Sequence, residues 1–125
     1  MEQLTFNQRE MTAIIKVALA MSVADGTCEN NESSFMAQEA HRFNITGDDL
    51  NMLLEGCKNM DGQTAVAELA TMTDAQKRYV TAYLGTLMAV DGEISEKELS
   101  LWRLMTELCK LPSMSISDAI NYMAN

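Results

Sequence analysis

The chain has 125 residues, with Lys plus Arg at 9, Asp plus Glu at 18 and a formal net charge of −9. That length suits one domain, whose core should remove roughly 65 to 70% of the unfolded chain's surface from water. The acidic excess repels nucleic acid and anionic lipid, while 47% hydrophobic residues exclude a disordered chain and one Pro with six Gly disfavours a turn-rich β fold.

In chain order, Thr5-x-x-Gln8 reads as a capping box that opens a first helix running to about Ala24. From Met11 to Ala24 that helix is apolar on every side except at Thr12, Lys16 and Ser22, so it should be central. Asp25-Gly26 ends it. A second helix is expected from about Glu29 to Phe43, with Phe35, Met36, Ala40 and Phe43 on one face. Thr46-Gly-Asp-Asp49 starts a shorter third helix, the stretch from Cys57 to Thr64 reads as a connector, and a short Ala/Val helix leads to Met72. Thr73-x-x-Gln76 is a second capping box, opening a helix to about Val90 that is apolar all round from Val80. Asp91-Gly92 ends it, and Ser95-x-x-Glu98 caps the next, whose inner face is Leu101, Trp102, Met105 and Leu108. Pro112 should stop that helix, and a last amphipathic one follows from about Ser115 with Ile116, Ile120 and Met123. No β period survives, so the fold class is all-α: a single compact bundle of about seven helices.

The halves repeat. The offset that carries Asp25-Gly26 onto Asp91-Gly92 also carries Glu32 onto Glu98 and Met36 onto Trp102. The repeated unit is a buried helix, an Asp-Gly corner and an acid-rich helix start, with half-repeats of about 5–57 and 73–124 inside one domain, 1–125. Ala18, Ala20 and Ala24 in one buried helix, and Ala82, Gly85 and Ala89 in the other, suggest a central pair whose backbones approach closely.

Asp91-Gly-Glu-Ile-Ser-Glu-Lys-Glu98 has the form D-G-x-I-x-x-x-E, the second half of a calcium loop. The first half is missing, because its ligand positions would fall on the apolar residues Leu87 and Ala89, or Met21 and Val23. An ordinary EF-hand is therefore excluded. Two readings remain. Gly92 as a left-handed residue past a helix end and Ser95 with Glu98 as a cap need no ligand. Against that, Asp25 and Asp91 stand at the negative poles of their helix dipoles, at a cost of about 0.3 to 1 kcal/mol. Glu29 and Glu93 lie close by in sequence, and exposed carbonyls with clustered carboxylates suit a hard divalent cation. The candidate metal ligands are Asp25, Glu29, Glu32, Asp91, Glu93 and Glu98, for a weakly held calcium, magnesium, manganese or zinc ion.

A buried helix running into Ala24-Asp25-Gly26 and Val90-Asp91-Gly92-Glu93-Ile94, each followed by an acid-rich helix, resembles the TerB family of tellurite-resistance proteins. The same module opens a membrane-anchored co-chaperone of the DnaJ type. The resemblance spans roughly Met11 to Met123 and implies a compact bundle of about seven helices with a cytoplasmic, non-enzymatic role in bacterial stress response. It further implies acidic residues proposed to hold divalent cations, here Asp25, Glu32, Asp91 and Glu98. The sequence departs from the family at Cys28, where an aliphatic residue is favoured, and in Glu29-Asn30-Asn31, which lacks the serine cap of the second copy.

The remaining chemistry-bearing residues read as structural. His41 is the only histidine, which excludes His-rich zinc sites, and a solvent-facing or helix-end role is expected for it over a ligand role. Cys28, Cys57 and Cys109 form no CxxC and are odd in number, so reduced, packed thiols in the cytoplasm fit better than a disulfide framework. The polar N-terminus lacks the order of a signal peptide, and no apolar run is long enough for direct membrane insertion. No Ser/His/Asp or Cys/His set can be built around a single histidine, so no enzymatic activity is expected. The expected partner is a protein, basic or membrane-associated in character. A plain acidic protein-interaction domain, with structural Asp-Gly corners and no metal, is the alternative reading.

Overall fold

The computed structural model describes residues 4–24, 32–89 and 94–124, with side chains from residue 35 onward in the second of these segments. Among the described residues there are seven α-helices and no strands, in agreement with the all-α expectation. They are α1 (Gln8–Ala24), α2 (Glu32–Arg42), α3 (Gly47–Asn59), α4 (Gly62–Ala70), α5 (Asp74–Met88), α6 (Glu96–Leu108) and α7 (Ile116–Ala124). The chain divides into two compact units: Phe6–Glu68, holding α1 to α3 and all of α4 but its last two residues, and Leu69–Asn125 together with Met1–Thr5, holding α5 to α7.

In the first unit α1 is buried at Met11–Ile15, Val17–Leu19, Met21 and Ser22. It packs on α2 and α3, and those two pack on each other. The expected Thr5–Gln8 box is not what starts it. Asn7 is the cap: its Oδ1 accepts from the Glu10 amide at 2.7 Å, and Glu10 Oε1 accepts from the Asn7 amide at 2.9 Å. Asn caps at least as well as Thr, and Glu at the third helical position adds a negative charge to the positive pole. Within the apolar stretch, Thr12 satisfies its hydroxyl on the Gln8 carbonyl one turn back, at 2.8 Å. Lys16 extends its ammonium to the Cys57 carbonyl at 2.9 Å. That carbonyl belongs to the last turn of α3, where the helix itself supplies no partner and a cation is welcome.

The connector expected from Cys57 to Thr64 is much shorter than that. Residues through Asn59 are helical, Met60 caps α3 through its amide on the Gly56 carbonyl, and Asp61 begins α4. Asp61 Oδ1 accepts from the Thr64 amide at 2.7 Å, the N-cap bond that lets a helix follow at once. The α2–α3 joint is closed differently. Asn44 takes a left-handed conformation (φ 61), with Ile45 donating to the Ala40 carbonyl and Asn44 to the His41 carbonyl, a Schellman turn.

In the second unit α5 packs on α6 and, more extensively, on α7. Both expected boxes are present: Thr73 with Gln76 on α5, and Ser95 with Glu98 on α6. Gln76 also donates through Nε2 to the Thr5 carbonyl at 2.9 Å, tying down the N-terminal segment. Trp102 is 2% exposed, lies over Gly85 and donates through Nε1 to the Thr81 carbonyl at 3.1 Å. Two packing expectations need correction. Leu108 is 52% exposed instead of facing the core, because Trp102 and Cys109 occupy the inward side of α6. Of the small residues, Ala18 and Ala82 are fully buried, but Ala20 and Ala24 are exposed. At Gly85 the missing side chain makes room for the Trp102 indole. The end of α6 is also set before Pro112, by a second Schellman turn with Lys110 at φ 55.

Candidate functional site

α1 runs to Ala24, immediately before the first Asp-Gly corner, and α5 ends at Met88 with Ala89 as its C-cap, shortly before the second. Asp25, Glu29, Asp91 and Glu93 lie outside the described residues. Glu32 is the first residue of α2, and its side chain also lies outside them. Glu98 is the one sequence-derived ligand candidate whose side chain is described. It is half-buried, and its Oε1 accepts from the Ser95 amide at 3.1 Å while Ser95 Oγ accepts from the Glu98 amide at the same distance. One of its two carboxylate oxygens is thus committed to starting α6. Among the described residues no group of three or more His, Cys, Asp or Glu is placed to hold a metal ion.

The other candidates follow their structural readings. His41 is exposed in the last turn of α2, where a basic side chain suits the helix dipole. Cys57 and Cys109 are free and buried. Burial pushes the Cys57 thiol up to about 11 against a smaller opposing pull from Lys16, and burial alone does the same to Cys109. Thiols in that range are poor nucleophiles and poor metal ligands at neutral pH. Five of the methionines, Met11, Met21, Met36, Met72 and Met88, are core, while Met52 is 54% exposed.

Two features were not expected from the sequence. Glu39 is 2% exposed on the otherwise apolar face of α2, and its Oε2 meets Arg42 Nε at 3.2 Å. An acid one residue before the fully buried Ala40, with an arginine three positions on, was the signal available for that pair. The second is a pair of cavities in the first unit, about 630 and about 300 Å³, both bordered by Asn7 and Gln8. The second unit carries a cavity of about 350 Å³ beside Trp102, Arg103 and Thr106.

Among the described residues no helix is long and apolar enough to cross a membrane. No family model matches the chain, and no curated protein is similar to it. Among solved structures, the chain is similar to the crystal structure of a protein of unknown function, PG1108, from Porphyromonas gingivalis W83. The two share 42% sequence identity over 100% of this chain and 95% of the other, with a TM-score of 0.84.

Proposed function

The chain belongs to the same family as PG1108 of Porphyromonas gingivalis, a protein of unknown function; on the strength of its own sequence and fold we propose that it is a non-enzymatic, TerB-like helical module. In this reading it engages a protein partner in bacterial stress response and is tuned by a weakly held divalent cation at its Asp-Gly corners. The observation that carries the reading is the shared plan of the two units. Each contains one helix with a continuous buried stretch, Met11–Ile15 in α1 and Val80–Gly85 in α5, and an Asp-Gly and then an acid-rich helix start follow in the sequence. Helix C-terminal carbonyls beside carboxylates are the oxygen donors that calcium or magnesium prefers. The net charge of −9 favours a basic partner.

The metal-free alternative is an acidic interaction domain whose corners only turn the chain. The engagement of Glu98 in its own capping box favours it at the second corner. Titration separates the two readings. Calcium, magnesium, manganese and zinc are added to metal-free protein while Trp102 fluorescence and the melting temperature are followed. Under the cation reading, saturation a hundredfold above Kd stabilises by about 2.7 kcal/mol. The gain should vanish in the double variant Asp25→Asn, Asp91→Asn. If no cation moves the melt beyond what monovalent salt does, the corners are structural and the alternative stands.

A further inference from the structure

One side of α3 presents Asp49, Met52, Leu53, Gly56 and then Met60 at helical spacing, and both cavities of the first unit open along it. Because Asn7 and Gln8 border both, the cavities are adjoining stretches of one trough beside the start of α1. At the Asp49 end the floor is Met11 and Leu53, both buried, and the walls are Phe6, Phe43 and Ile45, all half-buried. At the other end Thr12 and Gly56 form the floor, exposed Met52 forms part of the rim, and Asp61 closes it. Arg9 is the cation among the lining residues, and its Nε is already held by Glu68 Oε2 at 3.0 Å. Each end of the trough therefore carries an aspartate, the apolar pocket lies at the Asp49 end, and the polar side chains of Asn7 and Gln8 border the stretch between. Asp48 adds to the negative charge at the first end.

We propose that this trough docks an extended segment of a partner protein. An aliphatic or aromatic side chain would sit in the Phe6–Phe43–Ile45 pocket, with one Lys or Arg beside it at Asp49 and another farther along the segment at Asp61. The dimensions argue for a peptide over a compact metabolite: α3 has 13 residues and is about 20 Å long, the span of about six residues of extended chain. The carboxylates supply charge complementarity, which steers and registers a basic segment. Met52 offers an adaptable apolar rim of the kind used by surfaces that accept varied sequences. The proposal rests on the reading of the chain as a protein-interaction module and gives that reading a location and a ligand chemistry.

The test is selection of random dodecapeptides displayed on phage against the immobilised full chain. The expected winners carry an apolar anchor with one Lys or Arg beside it and another farther along. A fluorescein-labelled synthetic copy should bind at least tenfold more weakly to Asp49→Lys and to Ile45→Trp, which fills the pocket, and more weakly as salt rises. Met52→Lys, at an exposed position that folding tolerates, should have the same sign of effect and guards against misfolding of the other variants. Leu104→Lys on α6 should leave binding unchanged. Enriched peptides without basic residues, or binding unaffected by the trough variants, would overturn the proposal. Binding lost only in Leu104→Lys would move the partner surface to α6, leaving the interaction reading intact. No enrichment at all would count against both.

Discussion

The two units bury a helix by the same polar device and lock it by opposite packing. In α1 the Thr12 hydroxyl bonds the Gln8 carbonyl; in α5 the Thr81 hydroxyl bonds the Lys77 carbonyl, each at 2.8 Å. The threonine's own carbonyl then takes a donor from a neighbouring helix: Cys57 Sγ at 3.8 Å in the first unit, Trp102 Nε1 at 3.1 Å in the second. The packing beside each is reversed. In the first unit a glycine on the neighbouring helix, Gly56, lies against Thr12; in the second the glycine is on the buried helix itself, at Gly85, and a large ring lies on it. A small-on-small seam tolerates adjustment, whereas a ring seated on a bare backbone does not.

The largest consequence falls on Trp102. Trp102→Ala should destabilise the chain by about 3 to 5 kcal/mol, read from chemical unfolding, since it removes the ring and the donor to Thr81 together. A loss below about 1 kcal/mol would mean that the second unit is not organised around this side chain. The glycines sharpen the contrast further. A Cβ at Gly85 would lie 2.6 Å from Trp102 Cζ2 and 2.8 Å from Cε2, on a rigid ring. Gly85→Ala should therefore cost about 1 to 3 kcal/mol despite the gain in helix propensity. A Cβ at Gly56 would lie 3.2 Å from Thr12 Cγ2, which can give by a few tenths of an ångström. There the propensity gain of about 1 kcal/mol roughly offsets the crowding, and Gly56→Ala should be close to neutral. Equal losses at the two glycines would erase the distinction between the units.

The helix ends offer a finer comparison. Both units close a helix with a Schellman turn on a non-glycine residue, Asn44 after α2 and Lys110 after α6. Asn tolerates the left-handed region through its short polar side chain; Lys does not. Lys110→Gly should stabilise by about 1 kcal/mol and Asn44→Gly by less, in paired thermal melts. A greater gain at Asn44 would show that loop entropy, not backbone strain, sets the balance at these turns.

These elements also mark how far the sequence could be read. The Thr73–Gln76 and Ser95–Glu98 boxes were legible because a cap is a local arrangement of four residues. At the first helix the same rule misplaced the start, since Thr5–Gln8 and Asn7–Glu10 both satisfy it and only the folded chain selects between them. Trp102 was legible as an anchor, but Leu108 was not legible as exposed. Its position adjoins the inner stripe of α6, and burial there is decided by what packs opposite. The last residues of α1 and α5 were readable to within about two positions, whereas the chemistry of the Asp-Gly pairs that follow in the sequence depends on side-chain oxygens that spacing cannot place. Glu98 illustrates the ambiguity, because the spacing that suggested a ligand is also the spacing of its cap.

The smallest effect expected is at Asp61, and its value lies in separating charge from capping. Bonds from the Thr64 backbone amide, then from the Thr64 side chain, hold the Asp61 carboxyl below the usual aspartate range, with a lesser pull from Lys16 and burial acting weakly the other way. A carboxyl that is more acidic folded than unfolded contributes its stability above the unfolded value and loses it as pH falls through the folded one. Asp61→Asn keeps the cap, because Asn serves that position as well as Asp. The variant should match the parent's melting temperature at neutral pH and differ only in the acid limb, where it should lose stability less steeply. The corresponding cap of the second unit's last helix is Ser115, whose Oγ accepts from the Asp118 amide at 3.0 Å and carries no charge to titrate. Ser115→Asn should therefore leave the acid limb unchanged. If Asp61→Asn instead lowers the melt equally at all pH values, the side chain's role is geometric, and the acid sensitivity of the first unit must come from other carboxylates.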